Sequence, residues 1–163
     1  KTETLIPKQN KNCRHFSWKM GWAFDIMVKK GGKYPAMRHL EKNESLCVGC
    51  HQCEIACAKA YYKVEDPACA CIHIEAGEDG QKIHICNQCG KCAEVCNTCV
   101  IQPNPKGVYM LQKKECVGCL MCVGFCPEQV MVQSDKHLEP SKCTACGICV
   151  KACPTGAIYM VED

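Results

Sequence analysis

Residues 47–57 read CVGCHQCEIAC, and this spacing of four cysteines decides how the chain folds. The same spacing, C-x2-C-x2-C-x3-C, returns three more times along the sequence. The later copies are CNQCGKCAEVC at 86–96, CVGCLMCVGFC at 116–126 and CTACGICVKAC at 143–153. We call the four copies motifs I to IV in chain order. The cysteines outside them are Cys13, Cys69, Cys71 and Cys99.

The composition leaves little apolar material for a core. The chain has 163 residues, enough for one compact domain or two very small ones. Leu, Ile, Val and Phe account for 31 of the 163 residues, which is near the lower compositional limit for a globular chain. The cysteines must therefore help to hold the fold together.

A disulfide-linked secreted scaffold does not fit this cysteine pattern. Disulfide frameworks use scattered spacings, because each bridge joins two distant points. Three thiols at i, i+3 and i+6 instead wrap one chain segment around a single small object. The N-terminal residues also lack the charged region, apolar run and cleavage site of a signal peptide. We therefore expect reduced thiols in the cytoplasm of an anaerobic organism.

Hydropathy and charge narrow the function classes further. The most apolar run, from Phe16 to Val28, is shorter than the roughly 20 residues of a membrane span and is interrupted by Lys19 and Asp25. Residues 1–45 carry a net charge of +6, and residues 46–163 carry −3. Bound cofactors would add negative charge to the second part. The basic pI of the bare chain therefore does not support a nucleic-acid partner.

The repeated spacing is the one that holds [4Fe–4S] clusters. Three closely spaced thiolates bind three irons of one cluster. The fourth cysteine is expected to start the next helix and to ligate the other cluster of a pair. Motifs would therefore work two at a time, and neighbouring clusters would pass single electrons. We expect four clusters, and three at minimum. Glycines lie among the ligands where the backbone must approach inorganic sulfide: Gly49, Gly90, Gly118 and Gly147.

The motifs resemble those of bacterial ferredoxins, including the C-P ending at Pro127 and Pro154. Four copies on a short chain resemble the four-cluster, ferredoxin-type small subunits of larger redox enzymes. Such subunits serve dimethyl sulfoxide reductase, formate dehydrogenases and hydrogenases. Others serve tungsten-pterin enzymes, among them aldehyde oxidoreductases and class II benzoyl-CoA reductases. The resemblance covers about residues 46–163. It implies an α+β fold of two nested bacterial-ferredoxin-like dicluster modules, with short helices and small antiparallel hairpins.

The family also implies how the motifs pair. Motifs II and III would form an inner module at about 72–129, and motifs I and IV an outer module from 46–71 and 130–163. The outer clusters would be held by Cys47, Cys50, Cys53 with Cys153, and by Cys143, Cys146, Cys149 with Cys57. The inner clusters would be held by Cys86, Cys89, Cys92 with Cys126, and by Cys116, Cys119, Cys122 with Cys96. The gaps between motifs, 28, 19 and 16 residues, also allow a sequential pairing of I with II and III with IV.

Strand predictions follow from the residues between and after the motifs. Short β-like stretches occur at 108–112, 129–133 and 157–161.

Three thiols outside the motifs suggest a second metal site. Cys69, Cys71 and Cys99 flank motif II and could form a zinc site with His73 or His84. The alternative is that they are small buried residues, as free cysteines often are. Cys99 could also substitute for Cys96 as a ligand. Cys13 is expected to have no metal.

His51 and the first 45 residues carry two further hypotheses. His51 lies between two ligands of motif I, where it could tune a cluster or be a solvated loop residue. Residues 1–45 form a basic, aromatic extension that includes Trp18 and Trp22. This extension could pack on the negative cluster domain or dock into a catalytic subunit, because Trp and Arg are common interface anchors.

The leading hypothesis is an electron-transfer subunit that is not itself an enzyme. It would relay single electrons to or from a catalytic subunit that carries a tungsten- or molybdenum-pterin. Further electron-transfer subunits could join the same complex. The chain shows no phosphate-binding Gly-rich loop and no HExxH motif. A free-standing polyferredoxin and a zinc-stabilised interaction module are the alternatives.

Overall fold

The computed structural model describes residues 37–78 and 80–162. The predictions for Cys13, Trp18 and Trp22 lie outside the described residues. Six strands occur in the described part: β1 Arg38–Lys42, β2 His73–Gly77, β3 Gly80–His84, β4 Ile101–Pro103, β5 Tyr109–Leu111 and β6 Ile158–Glu162. The α-helices are α1 Gln52–Tyr62, α2 Lys91–Glu94, α3 Met121–Gly124 and α4 Ile148–Ala152. Single 3-10 turns occur at Glu44–Leu46, Pro67–Cys69 and Lys113–Glu115.

The strands form three separate antiparallel pairs: β1 with β6, β2 with β3, and β4 with β5. This confirms the predicted mixture of short helices and small antiparallel strand pairs. The β1–β6 pair joins the segment before motif I to the segment after motif IV, with Arg38 opposite Glu162 and Lys42 opposite Ile158. Helix α1 packs against α4, and α2 packs against α3.

The predicted boundary at residue 45 falls inside this folded unit. Strand β1 pairs along its whole length with β6. The Glu44 carboxylate also accepts a hydrogen bond from the backbone N–H of Ile83 at 3.0 Å. The segment from Arg38 onward is therefore part of the fold rather than of an extension.

The prediction that the fourth cysteine starts a helix is wrong. Each helix begins one residue before the third cysteine of its motif, so that Cys53, Cys92, Cys122 and Cys149 lie in the first turns. Cys153 instead caps the end of α4. The cause is the residue that precedes each helix, which has a left-handed backbone, as His51 does at φ 55°. This conformation turns the chain sharply out of the loop and into the helix.

One predicted strand is also wrong. Residues 129–133 form only an isolated bridge, between Val132 and Ser141. Gln129 has a φ of 53°, which interrupts an extended run at its first residue. The stretch 108–112 contains β5, and the stretch 157–161 covers all of β6 except its last residue.

Two clusters of buried side chains make up the interior. The first lies around motifs I and IV and includes Leu40, Ile72 and Ile158 together with Cys53 and Cys149. The second lies around motifs II and III and includes Val100, Ile101 and Tyr109 together with Cys92 and Cys122. Thiols therefore take part of the place that apolar side chains have in other small domains. Within the described residues, no helix has the length and hydropathy needed to cross a membrane.

Gly118 should not tolerate a side chain. Its φ is +66°, and an added Cβ would lie 2.5 Å from Leu138 Cγ and 2.8 Å from the Leu138 carbonyl oxygen. We expect Gly118→Ala to lower the free energy of unfolding by about 2 kcal/mol, because a left-handed Ala alone costs roughly 1–2 kcal/mol. Thermal unfolding of anaerobically purified protein measures this.

Gly124→Ala is the matched control for this substitution. Gly124 lies in α3, and an added Cβ would meet no atom within 4 Å. Alanine there should leave stability unchanged or raise it by about 0.5–1 kcal/mol. Equal loss in both variants would contradict the explanation.

Candidate iron–sulfur centres

All four motifs form the same loop. In each, the residue before the second cysteine and the residue before the helix have positive φ values. These residues are Gly49 and His51, Gln88 and Gly90, Gly118 and Leu120, and Ala145 and Gly147. Alternation of right- and left-handed backbone turns successive N–H groups to one side, an arrangement found at many Fe–S sites. The loops therefore offer donors to an anionic group held by the thiols.

Burial of the thiols follows the order within each motif. The second cysteines are exposed in every motif: Cys50, Cys89, Cys119 and Cys146. The third cysteines are buried in every motif: Cys53, Cys92, Cys122 and Cys149. A group bound by one loop would therefore have one edge near solvent and the opposite edge in the core. This suits a redox centre that exchanges electrons with a partner.

One cavity brings cysteines of motifs I and IV together. Its lining includes Cys143, Cys146 and Cys149, which are the first three cysteines of motif IV. Cys57, the fourth cysteine of motif I, lies on the same cavity. Three thiols of one motif thus face the fourth thiol of another.

A second cavity repeats this arrangement with motifs II and III. It is lined by Cys116, Cys119 and Cys122 of motif III and by Cys96 of motif II. Cys96, rather than an alternative thiol, is the fourth cysteine that the structure places there. Both cavities therefore contain the quartet that a ferredoxin-type cluster requires.

Within each of the two remaining ligand sets, contacts also connect cysteines of different motifs or of the same loop. Cys47 and Cys153 pack against the core that contains Cys53, and the charge of Cys153 influences the Cys53 thiol. The charges of Cys86 and Cys89 likewise influence the Cys92 thiol and raise its pKa. Cys126 packs against the core that contains Cys92.

The pKa values of the buried thiols fit a cationic cluster core. Burial raises the pKa of Cys53, Cys92 and Cys149 to about 12, and that of Cys122 to about 11. Without metal, thiols at these positions would stay protonated at neutral pH. Bound iron reverses this preference because its positive charge stabilises the thiolate. The four motif thiols on each cavity are a donor set that fits a [4Fe–4S] cluster.

Cys71 is a fifth thiol on the first cavity. It is almost completely buried, and its backbone N–H donates to Cys57 Sγ at 3.3 Å. Hydrogen bonds from the Cys71 thiol and N–H lower the pKa of Cys57. Cys71 thus contacts a predicted cluster ligand, a position that its spacing in the sequence did not indicate.

The zinc site predicted from Cys69, Cys71 and Cys99 is not assembled in the described part of the chain. Residues 37–78 and 80–162 contain no group of three or more His, Cys, Asp or Glu that could hold a metal ion. A [4Fe–4S] cluster spreads its thiolates farther apart than one ion does, because each thiolate binds a different iron. His73 and His84 lie opposite each other on β2 and β3.

His51 Nδ1 lies within hydrogen-bonding distance of the Glu54 carboxylate rather than pointing at a thiol. Glu54 is buried, and its carboxylate also accepts the backbone N–H of Ile74 at 2.9 Å. The His51 side chain is half exposed. Its partner is therefore a buried carboxylate within motif I.

Gln88 and Lys142 connect motif II to motif IV. Both are buried, at 2% and 4% exposure. The Lys142 ammonium donates to Gln88 Oε1 at 2.7 Å and lies 3.6 Å from Cys86 Sγ. Gln88 Nε2 donates to the Cys143 carbonyl at 3.2 Å. Sequence reasoning missed this pair, since no spacing signal marks a polar contact between distant loops.

Comparison with known sequence families identifies the domains. A profile described as a 4Fe-4S dicluster domain matches residues 85–131, which span motifs II and III. Profiles described as 4Fe-4S binding domains match residues 44–62 and 137–159, which contain motifs I and IV. The chain therefore carries ferredoxin-type domains for several [4Fe–4S] clusters.

Curated relatives share part of the sequence. "Electron transport protein HydN" of Escherichia coli is 31% identical over 103 residues, 58% of each protein. The B component of polysulfide reductase from Wolinella succinogenes is 31% identical over 101 residues, 53% of this protein and 51% of the relative. "Formate hydrogenlyase subunit 2" of E. coli is 28% identical over 92 residues, 55% of this protein and 45% of the relative. The matches thus span about half the length of these curated relatives.

Proposed function

We propose that this chain is an electron-transfer subunit with four [4Fe–4S] clusters, which relays single electrons to or from a catalytic subunit. The observation that carries the proposal is the pair of cavities described above. Each is lined by three cysteines of one motif and the fourth cysteine of another. When bound, the clusters would supply one-electron redox chemistry; the chain holds, insulates and positions them.

The nested ligand sets are part of this proposal. The two cavity quartets are those expected for motif IV with Cys57 and motif III with Cys96. The antiparallel pairing of β1 with β6 supports the outer module of motifs I and IV. The dicluster match over residues 85–131 supports the inner module of motifs II and III. The other two clusters would then take Cys153 and Cys126 as fourth ligands.

The contacts between modules favour one order of centres: I, IV, II, III. Cys86 of motif II is the cysteine whose charge acts most strongly on Cys143 of motif IV, so these two centres would be neighbours. Motifs I and III would then lie at the two ends. Val48 in motif I is 66% exposed and Val117 in motif III is 60% exposed. Exposed apolar side chains on both end loops suit docking of redox partners.

The partner is proposed from the relatives and from resemblance. Two relatives are named as a component of a polysulfide reductase and as a subunit of formate hydrogenlyase. We infer a cytoplasmic oxidoreductase complex of an anaerobe, with a tungsten- or molybdenum-pterin catalytic subunit such as that of an aldehyde oxidoreductase or a benzoyl-CoA reductase. A free-standing electron shuttle is the second candidate, because HydN is named as an electron transport protein.

A reductive titration tests the electron-transfer function. The full-length protein, purified without oxygen, should be brown and should take up about four electrons from dithionite, one per cluster. The reduced protein should give the EPR signals of [4Fe–4S] centres. As a control, replacing Cys116, Cys119 and Cys122 by Ser should reduce the uptake by one electron. A colourless protein that takes up no electrons would contradict the proposal.

Iron counts in combined variants test the nested ligation. Replacing Cys143, Cys146 and Cys149 by Ser should remove the motif IV cluster. Adding Cys57→Ser should then cost no further iron, because its cluster is already lost. Adding Cys126→Ser instead should cost about four more irons, since this residue would serve motif II. Sequential pairing gives the opposite result for the two added substitutions.

A further inference from the structure

Lys142 is a buried ammonium group at the junction of motifs II and IV. It is 4% exposed, and lysine is almost never buried to this degree without a charged partner. In the described part of the chain, no carboxylate lies within ion-pair distance of it. Its ammonium contacts are two neutral oxygens, on Gln88 at 2.7 Å and on the Cys143 backbone at 3.1 Å, and the Cys86 sulfur at 3.6 Å.

Among the described residues, no carboxylate balances the positive charge of Lys142. The Tyr109 ring, with its centroid 6.0 Å from the ammonium, adds only a weak cation–π interaction. A buried charge is costly unless an opposite charge compensates it. The group that would compensate Lys142 is the anionic cluster held through Cys86. Cys92, in the same motif, is also within the electrostatic influence of Lys142.

The other buried charge in the described residues has a different arrangement. The carboxylate of Glu54, within motif I, lies within hydrogen-bonding distance of His51 and accepts the backbone N–H of Ile74. Its polar partners are therefore groups of the protein itself. Lys91, also near motif II, pairs with Glu94 at 2.9 Å and is 58% exposed. Water and Glu94 would screen its charge from any bound group.

We propose that Lys142 raises the reduction potential of the motif II centre and makes it the preferred electron site at the junction of the two modules. This inference rests on the proposed function, because it requires a cluster at Cys86, Cys89 and Cys92. Reduction adds one electron and no proton to that centre. The electron comes from the neighbouring centre in the relay, or from dithionite in the test. The added negative charge is stabilised by the ammonium, which does not move.

The side chain of Lys142 reaches from the motif IV segment to motif II. Lys142 precedes Cys143 of motif IV in sequence, yet its side chain points to Cys86 of motif II. Gln88 fixes this direction, since it accepts from Lys142 and also from the backbone N–H of Tyr109 at 3.1 Å. An electron that arrives from motif IV would thus meet a positive charge next to its acceptor. Lys142 is therefore not a ligand of the cluster; its proposed role is to place a positive charge next to the motif II centre.

The test is an EPR-monitored redox titration of the full-length protein, purified without oxygen. In Lys142→Gln, which keeps hydrogen-bonding capacity and loses the charge, one of the four midpoint potentials should fall. The one-electron equilibrium constant should change about tenfold, which equals about 59 mV. Lys142→Arg, which keeps the charge, should retain most of the wild-type value. Lys91→Gln, the exposed control in the same motif, should change the constant less than about twofold.

Iron and sulfide counts separate the failure of this inference from that of the proposed function. If the wild-type protein binds no [4Fe–4S] clusters, the proposed function fails. If all variants hold the wild-type iron content and Lys142→Gln leaves every potential unchanged, only the role of Lys142 is overturned. Equal shifts in Lys142→Gln and Lys142→Arg would assign the effect to geometry rather than charge and would also overturn it.

A second uncharged variant, Lys142→Met, addresses the case in which Lys142→Gln loses iron. If both Lys142→Gln and Lys142→Met lose about four irons while Lys142→Arg keeps them, Lys142 retains the cluster rather than tuning it. That outcome contradicts the proposal. If Lys142→Met keeps its iron, its midpoint potentials must show the same fall as those of Lys142→Gln.

Discussion

The structure depends on thiols that meet around two cavities instead of on a large apolar core. Five of the 13 buried residues in the first core are cysteines, and three of the seven in the second. Burial raises the pKa of most of these thiols, so the metal-free interior would consist of protonated groups with few strong contacts. Iron–sulfur binding would replace these weak contacts by coordinate bonds. Folding and cofactor binding are therefore expected to be coupled.

The two buried charged side chains of the described residues, Glu54 and Lys142, lie near different motifs. Glu54 lies within hydrogen-bonding distance of His51, whereas Lys142 is buried without a carboxylate partner. The two groups have opposite signs and lie near different motifs, Glu54 within motif I and Lys142 at the junction of motifs II and IV. Burial and local charge are the means by which a protein sets the potentials of identical clusters. Four centres with the same ligands can thus differ in potential.

Much of the site could be predicted from the cysteine spacing, because each loop is a local structure of eleven residues. Two of the three predicted strands followed from local pattern as well, whereas the short helices were implied by the family resemblance. The start of each helix could not be placed, since it depends on left-handed residues such as His51 and Leu120. In motifs I and III these residues are not the glycines that usually mark this conformation, whereas motifs II and IV have Gly90 and Gly147 there. Sequence pattern also could not show contacts between distant loops, such as those of Gln88, Lys142 and Cys71.

The assignment of the remaining cysteines shows the same limit. Cys71 lies close to thiols of motifs II and IV in the fold, although the sequence grouped it with Cys69 and Cys99. Its burial against Cys57 results from the path of the chain after α1, which no local pattern specifies. The motif cysteines were predictable because the first three of each motif are near in sequence, whereas the pairing with a distant fourth cysteine was only implied by the family resemblance.

The most direct test of the account is a count of iron, sulfide and zinc in protein purified from its own host without oxygen. The account predicts about 16 irons and as many sulfides per molecule, with no zinc. About 12 irons with one zinc would contradict it, because one motif would then hold a different metal and the pairing of four centres would be broken.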